Sequence, residues 1–457
     1  MKKGRFMESR KHFSSQFGFI LATAGSAVGL GNLWRFPYLA AKYGGGGFLL
    51  IYLILVVTFG FTLMVTEIAI GRKTGLSALH AFKALNKKSH IIGVLASIVP
   101  IIILPYYCVI GGWVVKFTAL YLFGGGKAAV DDSFFGGFIS QPIEPLVYLA
   151  IFVLLTTGVI LLGVNKGIEQ FSKVLMPILV LLSIGISIFV ACQPGSKEGI
   201  IYYLKPDLSK ITIKTFLAAS GQMFYSMSLA MGIMITYGSY VTKTENIESC
   251  VRSIEFFDTL IALLAGFMII PAVFVFSGGD AAALGKGPTL MFCTLPKVFD
   301  SMFGGQILAP VFFFLVLFAA LTSSISLMET VISIFEDKFP TKRTLIAILV
   351  TVYTLLMAVP SSLGFGIWDH IGFNGYSILD LFDFVSNNLL MPVVAILTCV
   401  FVGYILKPKA VIDEVELSGQ KFRSRKLYVV IIKFVAPIIL AMIFVSSILE
   451  FLGIIKI

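Results

Sequence analysis

The residues best placed to do chemistry lie in Gly25-Ser-Ala-Val-Gly-Leu-Gly-Asn-Leu-Trp-Arg-Phe-Pro37, inside an apolar run long enough to cross a bilayer. Glycines at 25, 29 and 31 each cost a helix about 1 kcal/mol relative to Ala. Asn32 and Arg35 then put polar groups where lipid would stand. In hydrocarbon an unpaired N–H or C=O costs several kcal/mol. A helix broken at mid-membrane therefore implies a bound ligand, and its freed carbonyls suit a cation. Two acids, Asp258 and Glu329, also fall within apolar runs. An ionisable residue at such depth marks a functional site by default, although Asp258 could instead be held by Ser or Asn neighbours. Glu329 either lines an inner water path or bonds to a neighbouring helix. The Gly25-x-x-x-Gly29-x-Gly31 spacing is no phosphate loop, because no β-α-β unit surrounds it.

These residues need a polytopic scaffold. The chain is 58% hydrophobic and 13% charged, which excludes a soluble enzyme. The net charge of +11 does not point to nucleic acid, since the basic residues collect in short loops between apolar spans. The five Cys and four His show neither a paired framework nor metal spacing. Runs of about 18 or more apolar residues predict eleven spans, near 17–38, 47–70, 91–123, 146–163, 169–191, 215–240, 248–277, 306–336, 344–360, 378–406 and 428–451. Lys and Arg cluster at the N-terminus, after span 2 (Arg72, Lys73, Lys83, Lys87, Lys88), after span 8 (Lys338, Lys342, Arg343) and after span 10. All lie on one side if the N-terminus is cytoplasmic, which leaves the C-terminus outside. The basic N-terminal segment reads as a cytoplasmic tail, with no small-residue cleavage site after the apolar run. Gly44–Gly47 reads as a flexible outer loop, and 278–305 as a re-entrant outer loop with short helices. Spans 1 and 6, five apart, are both interrupted by small and polar residues. That pattern predicts two inverted five-span repeats. The expected fold is an all-α polytopic membrane protein with broken helices 1 and 6. A single domain holds one repeat within 1–191, a second within 215–406 and an additional span at 428–451.

At GSAVGLGNLWRFP the chain resembles the bacterial, amino-acid-transporting branch of the neurotransmitter:sodium symporter family. The likeness returns at Glu67-Ile-Ala-Ile-Gly-Arg72, at Tyr106-Tyr107 with Trp113, at Gly221-Gln-Met-Phe-Tyr-Ser-Met-Ser228, at Ala319-Ala-Leu-Thr-Ser-Ser324 and at Asp380-Leu-Phe-Asp383. Six motifs in the family's order carry it along nearly the whole chain. Animal members have twelve spans, one more than is found here.

The resemblance implies two sodium sites. One uses the carbonyls of Gly25, Val28 and Ala319 with the hydroxyls of Thr322 and Ser323. Taken alone, Thr322-Ser323-Ser324 reads as small-residue packing; beside a broken first span it reads as an ion site. The other uses the Ala27 carbonyl, the Asn32 amide oxygen, Ser226 and Asp258, completed by the substrate carboxylate. Several relatives have Asn where Asp258 stands and, where Ala262 stands, a Ser that helps to bind chloride. A buried carboxylate supplies that negative charge, so no chloride requirement is expected. The substrate carboxylate would meet the N–H groups of Leu30 and Gly31, favoured by the helix dipole, and the Tyr107 hydroxyl. Its ammonium would meet carbonyls of Ala27, Tyr225 and Ser228. Its side chain would lie among Ile103, Tyr225, Ser228, Met231, Ser323 and Leu327. Met231 and Leu327, read singly, are ordinary core residues.

Gly29 stands where amine-transporting relatives carry Asp, which fits a substrate bringing its own carboxylate. Tyr225 and Met231 replace a Phe pair of several relatives, and a pliant Met suits large neutral, chiefly aromatic, side chains. For gates, Arg35 is expected to pair with Asp383 outside the substrate, above a Tyr107–Tyr225 lid, and Arg10 with Asp337 at the cytoplasmic end. Phe13 stands where relatives usually have Trp. Gly167 and Pro177 bracket a start of span 5 that unwinds in relatives. The expected activity is sodium-coupled symport of an amino acid across a bacterial inner membrane, with no nucleic-acid partner and no catalytic residues. A proton-coupled carrier using Asp258 or Glu329 and a non-transporting amino-acid sensor remain alternatives. The oligomeric state is not legible.

Overall fold

The computed structural model describes residues 12–278, 287–373 and 375–454. Among them, nine helices are long and apolar enough to cross a membrane: Gly46–Thr74, Lys87–Leu122, Glu144–Leu161, Val164–Ala191, Ile247–Ser277, Gly305–Lys338, Arg343–Leu363, Ile378–Ile405 and Arg425–Phe451. A tenth span is the bent pair Gln16–Ala27 and Gly31–Lys42, whose axes differ by 54°. The remaining expected span is two short helices, Ile213–Ser226 and Ile233–Gly238, with Met227–Gly232 between them. Neither half alone spans 30 Å of hydrocarbon at 1.5 Å per residue. The chain thus has an all-α fold with broken first and sixth spans. The structure extends the first span to Lys42 and starts the fifth at Val164.

Packing centres on the first half-helix, Gln16–Ala27, which lies against the fifth, seventh and eighth spans. Its residues from Gly18 to Ala27 are all buried. The third and eighth spans pack along each other beside it. Ile233–Gly238 lies on the second span at glycine contacts: a Cβ on Gly238 would stand 2.5 Å from the Ile68 carbonyl oxygen. Small residues at that crossing let two backbones approach.

Gly44–Gly47 differs from the expected flexible loop. Gly46 opens the second span, and a Cβ there would meet Lys205 and Pro206 at 2.5–2.7 Å. Glycines are needed here because two backbones touch. The outer loop over 278–305 lies partly outside the described residues; its later part forms helical turns from Leu290 to Ser301. Phe292 anchors them, with Trp34, Trp113, Phe117 and Phe135 within 6.4 Å, ring centre to ring centre.

Candidate functional site

The two breaks face each other. Val28 leaves the helix with φ −72° and ψ 110°, which frees carbonyls at the end of the first half-helix. In the sixth span Ser228 (φ 52°) and Ala230 (φ 60°) are two of three non-glycine residues with positive φ among the described residues. Such backbone costs on the order of 1–3 kcal/mol and persists where surroundings hold it. Here the Glu67 carboxylate of the second span accepts the Ala230 N–H at 2.7 Å. The Ser228 hydroxyl donates to the Ser26 carbonyl at 3.1 Å. Ser323, from the eighth span, donates to the same carbonyl at 3.2 Å and to that of Val28 at 3.1 Å. Three spans therefore meet on the carbonyls exposed by one break.

Asp258, fully buried on the seventh span, anchors one polar group. Asn32 Nδ2 donates to its carboxylate at 2.8 Å, Ser226 at 3.1 Å and Tyr52 at 3.5 Å. The Asn32 amide oxygen, expected to face a cation, accepts the Gly29 N–H at 3.0 Å. That orientation follows from hydrogen bonding, since an amide's two ends are otherwise alike. Ala27, Asn32 and Ser226 also line the cavity described below. Ala262 is buried one turn further along the same helix.

The second oxygen set is formally neutral. Thr322 donates to the Ala319 carbonyl at 3.0 Å. Gly25 lies against Thr322, 3.3 Å from the point where a Cβ would stand. With Val28 bonded to Ser323, all five residues expected here come together between the first and eighth spans. The first set offers carboxylate, amide, hydroxyl and carbonyl oxygens and the second hydroxyl and carbonyl oxygens, a donor chemistry that fits a hard cation such as sodium.

Between the breaks lies a cavity of about 40 Å³. Its wall includes Ala27, Leu30, Gly31, Ile103, Tyr107 and Tyr225. Ser226, Ser228, Met231, Ser323 and Leu327 complete the eleven residues expected around a substrate. The volume holds a few waters, so side chains must part for a ring to enter. The Tyr107 hydroxyl is buried and has no hydrogen-bond partner. It faces the Leu30 N–H and Ser323. A Cβ on Gly29 would stand 2.6 Å from the Ser323 hydroxyl, and one on Gly31 2.8 Å from the Tyr225 ring. No acid side chain fits at Gly29 in this arrangement.

The outer gate differs from expectation. Arg35 lies over the Tyr225 ring at 5.2 Å and forms no ion pair with Asp383. Asp383 instead accepts from Asn387 at 2.6 Å and Tyr106 at 3.2 Å. Neutral donors satisfy the acid while the guanidinium takes the aromatic face. Arg10 lies outside the described residues. Asp337 accepts the Ser77 N–H at 2.7 Å and its hydroxyl at 2.5 Å. Phe13 packs on Phe19, Tyr237 and Tyr240 within 6.1 Å, an aromatic seal made without Trp. Glu169, at the wide-turned start of the fifth span, accepts the Ser14 N–H at 2.8 Å and pairs with Lys173 at 2.7 Å. Glu329 accepts from Tyr240 at 2.7 Å and pairs with Arg343. It bonds to neighbouring helices, one of the two roles open for it in the sequence.

Sequence reasoning missed Tyr52, Gln222, Ser26, Ser326 and Ile233. Gln222 donates to the Gly31 carbonyl at 3.0 Å and has its own oxygen buried without a partner. Its signal was a polar residue one turn before Tyr225 and Ser226. Ser326 stands three residues after Ser323, on the same helix face. Tyr52 carried only a weak signal, as one of four hydroxyls in the apolar run 47–70.

The sequence profile of the Sodium:neurotransmitter symporter family matches residues 10–124 and 139–455. A protein of Haemophilus influenzae named as an uncharacterized sodium-dependent transporter is 35% identical, with 96% of this chain and 98% of its own length aligned. A Bacillus subtilis protein of similar name is 33% identical, over 95% of this chain and 97% of its own. The crystal structure of MhsT in complex with L-phenylalanine is similar at a TM-score of 0.86 and 36% identity, covering 96% of this chain and 100% of MhsT.

Proposed function

The chain belongs to the Sodium:neurotransmitter symporter family, and from that premise we propose that it drives uptake of a large neutral, preferably aromatic, amino acid with sodium by alternating access. Its relatives are named as transporters, not enzymes, and as sodium-dependent. MhsT was solved with phenylalanine, which supports an amino-acid cargo. The observation that carries the reading is the meeting of both breaks and the eighth span on the carbonyls of Ser26 and Val28. One sodium joins Ala27, Asn32, Ser226 and Asp258 to the substrate carboxylate. The other joins Gly25, Val28, Ala319, Thr322 and Ser323. Leu30, Gly31 and the unpartnered Tyr107 hydroxyl receive the carboxylate. Each cargo stabilises the arrangement that the others need, and that shared preference is the coupling. Asp258 makes chloride unnecessary. Arg35 and Asp383 close toward each other over the Tyr107–Tyr225 lid, and Arg10 with Asp337 closes the inner end. An ion pair that water can reach is worth about 0–1 kcal/mol, weak enough to open each cycle. One transporter domain carries both repeats, in a bacterial inner membrane with the N-terminus cytoplasmic and the C-terminus outside.

The test is binding of labelled phenylalanine and tyrosine to purified protein in sodium or in choline, followed by flux into proteoliposomes. Sodium-dependent binding and sodium-driven flux are expected. Flux that survives sodium removal and dies with a protonophore would identify a proton-coupled carrier. Binding without flux would identify a sensor.

A further inference from the structure

Four buried serines stand around one part of the cavity: Ser26, Ser228, Ser323 and Ser326. Their protons are already committed. Ser228 and Ser323 both donate to the Ser26 carbonyl, at 3.1 and 3.2 Å. Ser26 donates to the Ser326 hydroxyl at 2.6 Å, and Ser326 donates onward to the Ser323 carbonyl at 2.8 Å. A serine hydroxyl has one proton and two lone pairs. After these bonds Ser26 keeps two lone pairs and Ser228 two, while Ser326 keeps one. Ser323's are taken up by the proposed sodium site. The donors of the cavity are the Tyr107 hydroxyl, which stands beside Ser323, and the Leu30 and Gly31 N–H groups; on the proposed function all three are taken by the substrate carboxylate. Ile103, Met231, Ile233 and Leu327 supply the apolar lining.

We propose that this serine chain makes the side-chain subsite accept hydrogen bonds without offering them, so that it selects aromatic amino acids whose ring carries a donor, a phenol O–H or an indole N–H. The inference rests on the amino-acid reading of the cavity. Phenylalanine still fits, because every serine keeps at least one bond when a bare ring lies against it. A ring acceptor or a carboxylate would face lone pairs and lose its hydration for nothing. Ser326 is the positioning residue: it holds the Ser26 proton away from the cavity.

The experiment is competition against labelled phenylalanine on the purified protein in saturating sodium. Tyrosine and 4-aminophenylalanine, both donors, should bind about three- to tenfold tighter than 4-fluorophenylalanine, the advantage of one hydrogen bond. Tryptophan should exceed its benzothienyl analogue, which lacks the N–H, by a similar factor. Ser326→Ala should free the Ser26 proton, bringing tyrosine and 4-fluorophenylalanine within about twofold of each other. Parity of tyrosine with 4-fluorophenylalanine on the unaltered protein would overturn the proposal, whatever the variant does. So would a Ser326→Ala protein that weakens every ligand alike. If no amino acid binds in sodium, the transport reading falls as well; sodium-dependent phenylalanine binding with no donor preference removes this inference alone.

Discussion

The two oxygen clusters beside the first break differ in kind. One is built round a full charge: Asp258 collects Asn32, Ser226 and Tyr52, and two of those partners also line the substrate cavity. The other holds no formal charge: Thr322 and Ser323 of the eighth span meet Gly25 and Val28 of the first. A charge attracts a cation whenever it is exposed to one. Dipoles of hydroxyls and carbonyls do so only when several converge. The neutral cluster therefore exists only while the first and eighth spans touch, and it reports on their contact. The charged cluster shares Asn32 and Ser226 with the cavity wall. On the proposed function, one ion is tied to cargo and the other to conformation.

The strongest way to break this contrast is Asp258→Ala. It removes the one formal charge and leaves three buried donors without their acceptor. Charge-assisted hydrogen bonds and an uncompensated buried site together cost roughly 3 kcal/mol or more, so sodium affinity should fall about a hundredfold. A sodium titration of labelled-substrate binding checks this; an unchanged midpoint would remove Asp258 from the ion site. Next in size is Ser323→Ala, which removes one neutral ligand. About 1.5 kcal/mol, or tenfold more sodium at half-saturation, is expected, with uptake slowed. If Ser323→Ala equals Asp258→Ala in effect, the two clusters do not differ as argued.

A smaller effect sharpens the role of charge itself. Uptake by the unaltered protein should be equal in gluconate and chloride media. Asp258→Asn with Ala262→Ser keeps hydrogen bonding but removes the carboxylate, and transport should then rise several-fold when chloride is restored, on the order of 1 kcal/mol. Loss of wild-type uptake in gluconate would show that Asp258 does not supply the negative charge.

Much of this arrangement was legible in the sequence because it is written along single helices. Gly25, Gly29, Gly31 and Asn32 mark a break by local helix cost, and Met227–Gly232 marks another by its small residues. Ala319, Thr322 and Ser323, one turn apart, were legible through the family resemblance, since alone they read as helix packing. What crosses between helices was less legible, because packing angles leave no periodic trace. Tyr52 reaches Asp258 across 206 positions, and Tyr240 reaches Glu329 across 89. Arg35 and Asp383 were expected to meet, but each finds a nearer partner in Tyr225 or in Asn387 and Tyr106. Gly44–Gly47 was misjudged for a related reason: glycine marks a close backbone approach as readily as freedom, and only the neighbouring chain at Lys205–Pro206 tells the two apart.

The smallest expected effect lies at Met231, which lines the same cavity yet contributes no oxygen to either cluster. Met is unbranched and yields to rings of different sizes. Phe in its place is stiffer and bulkier in a space of only about 40 Å³, where overpacking typically costs about 1–3 kcal/mol and part of that strain relaxes. Met231→Phe should therefore shift preference from aromatic toward smaller aliphatic amino acids such as leucine by about threefold, under 1 kcal/mol. The sodium midpoint, measured with whichever substrate the variant binds best, should stay where it was, since neither ion site has lost a ligand. A competition panel run at several sodium concentrations separates the two readouts. If Met231→Phe moves the sodium midpoint as far as Ser323→Ala does, the cavity wall and the ion ligands are one mechanical unit, and the division between cargo-linked and conformation-linked ions is too simple.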